Sequence, residues 1–409
     1  MANTQTTLLN RPGNDLTPEM KTYYEKRLID LAEPKLVHDQ FGDKYPIPKN
    51  GGKSIEFRKY SPLGKAMTPI TEGVTPDGNS LNVTTITADV DQYGDWIQLS
   101  DVLQMTAIDN NVVQATRLLG AQAGRTLDTI TREVLNGGLQ VLYAPEVEGD
   151  TVTPVTSRAG LTENCKLTVD AIYKAAAELK AMLAEPIDDA YVAIIHPYVA
   201  YDLMRHPEWI EAHKYAEPEN LYQGEIGKIG GVRFVETTEA KIFAPEPIAG
   251  ATKAFTVKTA VSSSTTEIAV NEAISAADVA AFPEEGVAVY VNGAENRVTQ
   301  LTAGAAGAAS ITLETAVTTL AAQAKIVGQG GTAEGRSVFS TLVLGKSAFG
   351  VTDIEGGGLT HIVKQLGYGD DPLNQRSSCG WKAMKVAERL VEEYMLRIES
   401  CSTYDAGAN

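Results

Sequence analysis

Apolar and small side chains recur along this chain at two different periods. From Val112 they fall at Val112, Thr116, Leu119, Ala123, Leu127, Ile130 and Val134. Steps of three and four residues place them on one face of an α-helix. Ser100-Asp101 offers caps ahead of this region, and Gly137-Gly138 stops it. The predicted helix of roughly 27 residues would run about 40 Å at 1.5 Å per residue, long for a globular protein. A second helix is predicted over Thr168 to Glu185, with Ile172, Ala176, Leu179 and Leu183 on one face and Pro186 beyond its end. Thr17-Pro18-Glu19 starts a third with a hydroxyl cap, a first-turn proline and an acid. It should run to about Glu33, before Pro34. Residues 1–16 are polar and read as a flexible arm.

Elsewhere the period shortens to two, or the run is uniformly apolar. Tyr191 to Ile195 and Val338 to Leu344 read as buried strands, Pro197 to Met204 as helix, and Tyr394 to Ser400 as an alternating strand. Ile226 to Val235 carries Gly227, Gly230 and Gly231 between apolar residues, a hairpin pattern. Val351 to Gly369 is glycine-rich and should be loop around a short strand at His361 to Gln365. Trp381 to Val391 fits helix and strand templates equally.

The most informative stretch is Gly51 to Asp101. Strand-like runs at Ser54 to Tyr60, at Val83, Thr85 and Thr87, and at Trp96 and Gln98 to Leu99 bracket a Pro/Gly/Thr-rich reach of about twenty residues. Strands that pin both ends would make this reach project as an arm, and arms of this kind pair with neighbouring chains in assembling proteins. In the arm Gly73 permits a tight turn, and Glu72 is placed to pair with a basic residue of the next subunit. A solvated loop is the plainer reading of both.

Composition changes at Pro245-Glu246-Pro247. Residues 245–333 are rich in Ala, Thr, Val, Ser and Gly. Short β-like runs separated by Pro283, Asn292-Gly293, Gly304 and Gly328 predict a small all-β, immunoglobulin-like module inserted into the core. With four basic and eight acidic residues its net charge is −4. The predicted organisation is 1–50 N-terminal arm and helix; 51–100 strand, extended arm and strand; 101–244 with 334–409 a discontinuous core; and 245–333 the insert.

The chain has 409 residues, 43% hydrophobic and 21% charged, ordinary values for a globular protein. No apolar run reaches the roughly 18 residues of a membrane span, and the N-terminus has neither the basic nor the apolar region of a secretory signal. Use in a cytoplasm is expected. The net charge of −17 argues against a tight grip on nucleic acid. It suits simple solubility.

Candidate chemistry is sparse. Gly51-Gly52-Lys53-Ser54 and Gly345-Lys346-Ser347 resemble the tail of a phosphate loop, but Ile47 and Ser340 stand where the first glycine belongs. His196, His206 and His213 lack the i, i+4 spacing of a zinc helix and read as polar or capping residues. Cys165, Cys379 and Cys401 contain no CxxC and read as free thiols. Glu185, Asp188 and Asp189 read as a solvated cluster. No catalytic, cofactor or metal residue is assigned, so the expectation is a protein without enzymatic activity.

The runs Thr68-Pro69-Ile70-Thr71-Glu72-Gly73-Val74-Thr75-Pro76, Gln92-Tyr93-Gly94 and Cys379-Gly380-Trp381-Lys382 resemble the major capsid proteins of tailed bacteriophages, in the group typified by the N4-like phages. The resemblance covers about residues 15–244 and 334–402. It implies the α+β fold of tailed-phage and herpesvirus capsids: an N-arm, an extended loop, a long spine helix, and β-rich peripheral and axial domains. It favours strand over helix at Trp381 to Val391. It implies assembly of the chain with itself into hexamers and pentamers of an icosahedral virion head built in a bacterial cytoplasm. A separate scaffolding protein, a portal, decoration proteins and weakly held DNA are the implied partners. Pro62, Pro69, Glu72, Gly73, Pro76 and Trp381 are the candidate inter-subunit contacts; for Trp381 core packing is the competing reading. The alternatives are an encapsulin-like nanocompartment shell and, further off, an enzyme or binding protein with an immunoglobulin-like insert.

Overall fold

The computed structural model describes residues 37–60, 63–67, 69, 72–73, 78–101, 111–149, 151–216, 227–354, 358–364 and 375–409. The expected N-terminal arm and its helix, and Pro62 and Pro76, lie outside these. The chain forms two compact units, Met1–Leu135 with Ser347–Glu392 and Asn136–Lys346 with Glu393–Asn409. Strands and helices are numbered in chain order.

In the first unit, β1 (Asp43–Lys44), β2 (Ser54–Tyr60), β3 (Val83–Asp89) and β4 (Asp91–Ser100) precede the long helix α1 (Asn111–Asn136). The chain returns later with β19 (Phe349–Thr352), β20 (Thr360–Lys364) and β21 (Arg376–Arg389). The ambiguous run Trp381 to Val391 is therefore mostly strand. Its odd-numbered residues Cys379, Trp381, Ala383, Lys385 and Ala387 are all buried, a period of two that only a strand can supply. β21 pairs with β4 over ten positions, Arg376↔Ser100 to Lys385↔Asp91. It also pairs with β20 and β19.

Helix α1 lies against this sheet. Val112, Leu119, Ala123 and Leu127 form one buried cluster with Leu99, Cys379, Trp381 and Ala383. The second half of α1 also buries a polar face that periodicity did not show: Asp128, Thr131 and Arg132. Asp128 accepts the backbone N–H groups of Val37 and His38, each at 2.9 Å, and its other oxygen meets His38 Nδ1 at 2.8 Å. Asp39 accepts from the Thr131 hydroxyl at 2.5 Å and from the Lys385 ammonium. Two successive residues thus clasp the chain to one turn of α1.

The second unit is built on a seven-stranded sheet of β5 (Val141–Tyr143), β8 (Tyr191–Ile195), β9 (Lys228–Ile229), β10 (Val232–Glu236), β11 (Ile242–Phe243), β18 (Val338–Leu344) and β22 (Met395–Ser400). Its order is β5-β22-β18-β8-β10-β9, with β11 beside β18; β6 (Glu146–Glu148) and β7 (Thr151–Thr153) form a separate antiparallel pair. β8, β18 and β22 are buried at every position, so the alternation expected for β22 does not occur. The buried carboxylate of β22 is paired internally: Glu399, fully buried, takes a two-pronged contact from Arg158 at 2.7 and 2.6 Å, and Arg397 lies 2.9 Å away. Helix α2 (Val169–Ala181) is capped by Thr168, whose hydroxyl accepts from Ala171 N–H at 3.2 Å. It ends four residues earlier than expected, so Leu183 is not on its buried face but 81% exposed in a left-handed conformation (φ 61°). Helix α3 (Pro197–Met204) is capped by His196, whose Nδ1 accepts from Tyr198 N–H at 3.2 Å.

Within the predicted insert stand β12 (Ala254–Thr256), β13 (Thr265–Val270), the one-turn helix α5 (Ala276–Ala280; α4 is Pro207–Ala216), β14 (Val287–Val291), β15 (Ala294–Thr302), β16 (Ala309–Val317) and β17 (Lys325–Gly328). They form one six-stranded sheet in the order β12-β17-β14-β15-β16-β13, every pair antiparallel. The two ends then meet: Val257 bridges Val270, and Lys258 N–H donates to Ala269 O at 2.9 Å. The sheet closes on itself as a small barrel around Phe255, Ile268, Val289, Val298, Ile311 and Ile326. An immunoglobulin-like element would instead stack two separate sheets. Short strands with frequent turns fit both arrangements, which is why sequence alone did not separate them.

Candidate assembly surfaces

β2 and β3 form a two-stranded antiparallel ribbon with register Ser54↔Asp89 to Tyr60↔Val83. Its root is held. Ala88 is buried, Phe57 meets Tyr45 edge to face at 5.3 Å, and Lys53 reaches Asp91 at 3.1 Å. Burial and neighbouring Asp43 raise the Tyr45 hydroxyl pKa above its ordinary value. Outward from the root the cover is lost. Tyr60 and Val83, directly paired at the tip, are 61% and 45% exposed. In the arm beyond them Leu63, Met67 and Leu81 are 57%, 81% and 69% exposed. A lone two-stranded ribbon is marginal in water, and this one ends in bare apolar side chains.

Of the residues singled out from sequence, Pro69, Glu72 and Gly73 all lie in this arm and are exposed. Gly73 has φ 80°, a conformation that favours glycine. Trp381 is elsewhere and inside. It is 4% exposed, packs in the cluster between β21 and α1, and its indole N–H donates to Gln122 Oε1 at 3.3 Å. Its inward position on β21 makes it a core residue rather than a contact residue.

The exposed tryptophan of this sheet is Trp96, at 61%, which sequence reasoning placed on a strand but did not single out. Trp96, Gly380 and Ile362 form one row across β4, β21 and β20. Ile362 is 38% exposed. A Cβ at Gly380 would come within 2.7 Å of Trp96 Cβ and 2.8 Å of Asp95 O, so only glycine fits between its neighbours. The row floors a groove of about 370 Å³, with Lys364 and Asp95 also in its wall. Asp95 accepts from Trp96 N–H at 2.8 Å and from Gln122 at 2.5 Å. The alternation rule could have found Trp96: Ile97 and Leu99, two apart, both pack in the cluster with α1, so Trp96 faces away.

The opposite face of the sheet is dry. His361 is 4% exposed, both of its ring nitrogens lack hydrogen-bond partners, and burial pushes its pKa down to about 4. Burial pushes the Cys379 thiol up to about 11, so it is a packing residue rather than a nucleophile. Among the described residues no group of three or more His, Cys, Asp or Glu is placed to hold a metal ion, and no helix is long and apolar enough to cross a membrane.

Residues 92–338 match the model of a family described as phage capsid protein. No curated protein matches the chain by sequence. Among solved structures, the capsid of the cyanophage P-SCSP1u aligns with TM-score 0.53 and 12% identity over 98% of this chain and 97% of that one. The capsid of Ralstonia phage GP4 aligns with TM-score 0.52 and 12% identity over 90% and 88%. The capsid of cyanophage Pam1 aligns with TM-score 0.50 and 12% identity over 99% and 98%. At these identities the likeness is one of fold, and it extends over nearly the whole chain.

Proposed function

The chain belongs to the phage capsid protein family, and from that premise we propose how it builds a head. It is a structural major capsid protein with the tailed-phage capsid fold, and its copies assemble with one another. The arm between β2 and β3 is the part that reaches a neighbouring subunit, with Pro62, Pro69, Glu72, Gly73 and Pro76 in or beside the contact. The observation that carries this reading is the ribbon itself: rigid at its root, apolar and uncovered at its tip. Each copy contributes one arm and receives another, and many modest contacts closed into a shell give high overall stability. Copies group as hexamers and pentamers of an icosahedral virion head assembled in the bacterial cytoplasm.

A separate scaffolding protein, a portal and decoration proteins complete the assembly. The net charge of −17 keeps contact with packaged DNA weak and non-specific. The protein's role is mechanical rather than enzymatic. Residues 245–333 act as an outward-facing insert. The test is removal of residues 62–80. The shortened chain is expected to keep its thermal melt and to lose closed shells in electron micrographs. Normal shells from it would rule the arm out.

A further inference from the structure

We infer that residues 402–409 form a detachable strap, a peptide seated in a groove of the second unit that clamps the two stems of the barrel to helix α3. The segment follows β22 and is held in three places. At its base the Asp202 carboxylate of α3 accepts from the Ser402 hydroxyl at 2.7 Å, from Thr403 N–H at 2.8 Å and from the Thr403 hydroxyl at 2.6 Å. The Tyr404 ring then lies against Tyr198, stacked at 4.9 Å, and Tyr201, edge to face at 5.5 Å. Next the segment meets the barrel's exit stem. Asp405 accepts Ser337 N–H at 2.9 Å, and the Ser337 hydroxyl donates to Ala406 O. Its last contacts are with the entry stem. Asn409 Oδ1 accepts Ile242 N–H at 3.0 Å, and its amide nitrogen donates to Ala240 O at 2.7 Å. One side chain thus satisfies a backbone donor and acceptor beside β11, as an added strand would.

The manner of attachment separates this strap from the core. β22 is buried at every position. Beyond Ser402 the segment is exposed at Thr403, Tyr404, Asp405 and residues 407–409, and its Ala406 packs against the apolar cluster of the sheet. Polar contacts and one ring can let go without opening that sheet. The stems pair directly over a short stretch, Ile242↔Phe339 and Phe243↔Val338. The strap therefore adds hold where a module on two connections would otherwise rock.

Hydrogen exchange tests this on the full chain and on a chain shortened after Cys401. In the shortened chain the Ile242 and Ser337 amides should exchange about tenfold faster or more, while Val192 in β8 and Ile311 in β16 keep their rates. A synthetic peptide with the sequence of residues 402–409, raised to millimolar concentration, should restore the protection of both amides. Unchanged exchange at Ile242 and Ser337 overturns the strap, and so does failure of the peptide to restore it. Faster exchange at Val192 as well overturns it too, since the segment would then be part of the core. A full-length variant carrying Tyr404→Ala and Asn409→Ala keeps the test open should the shortened chain not fold. It should keep its thermal melt and lose protection at Ile242, and protection equal to that of the unaltered chain contradicts the inference.

Discussion

Lys385 carries its ammonium almost out of water, 5% exposed. Burial lowers its pKa, while Asp39 and, more weakly, Asp128 oppose that shift; it also donates to Leu127 O at 2.8 Å. Lys385→Met should cost roughly 3 kcal/mol, because it strands the Asp39 carboxylate rather than merely deleting a contact. The midpoint of chemical denaturation measures this, and a loss under about 1 kcal/mol would show that the pair is solvated. His361 is the opposite case, a base held neutral. Its folded pKa of about 4 lies below the ordinary 6.5, so the unfolded chain binds more protons between those values. Stability is therefore full above pH 6.5 and falls as pH drops towards 4. His361→Phe should flatten the melting temperature across that window relative to the unaltered chain; parallel curves would refute the assignment. Neither residue was legible in the sequence. A lysine on the inward register of a strand looks like a solvated one until its partner, Asp39, is known to lie across from it. Leu183 misled for a related reason. It continues the apolar period of α2, but the helix stops at Ala181 and the residue turns left-handed.

At the level of elements, period and punctuation carried most of the reading. The face Val112, Thr116, Leu119, Ala123 and Leu127 is buried as expected, and α1 ends one residue before Gly137. The hairpin at Gly230-Gly231 and the turn at Asn292-Gly293 have the positive φ values their residues favour. What was hidden is closure. Whether six short strands make a sandwich or a barrel depends on which edges meet, and the Val257–Val270 bridge joins residues whose local sequence shows nothing special. The barrel's entry and exit are adjacent, with Glu246 N–H donating to Gln329 O at 2.8 Å. Replacing residues 245–333 by a short linker should therefore leave a subunit that folds and still forms shells. Aggregation of that deletion, seen by size exclusion, would show that the barrel is needed for the core.

The whole molecule makes sense as a part rather than as a finished object. Its two sheets, long helix and barrel each build buried clusters, while the arm tip and Trp96 are among the large apolar side chains left bare. The arm was legible in sequence because Pro/Gly-rich reaches between strands are rare in compact domains. The groove over Gly380 was not, because it is a property of three strands brought side by side, from residues near 96, 362 and 380. The most direct measurement is to express the chain with and without a candidate scaffolding protein and examine the product by light scattering and electron microscopy. Closed icosahedral particles tens of nanometres across, or hexameric and pentameric rings, are the predicted result. A monodisperse monomer or dimer under both conditions would contradict the account.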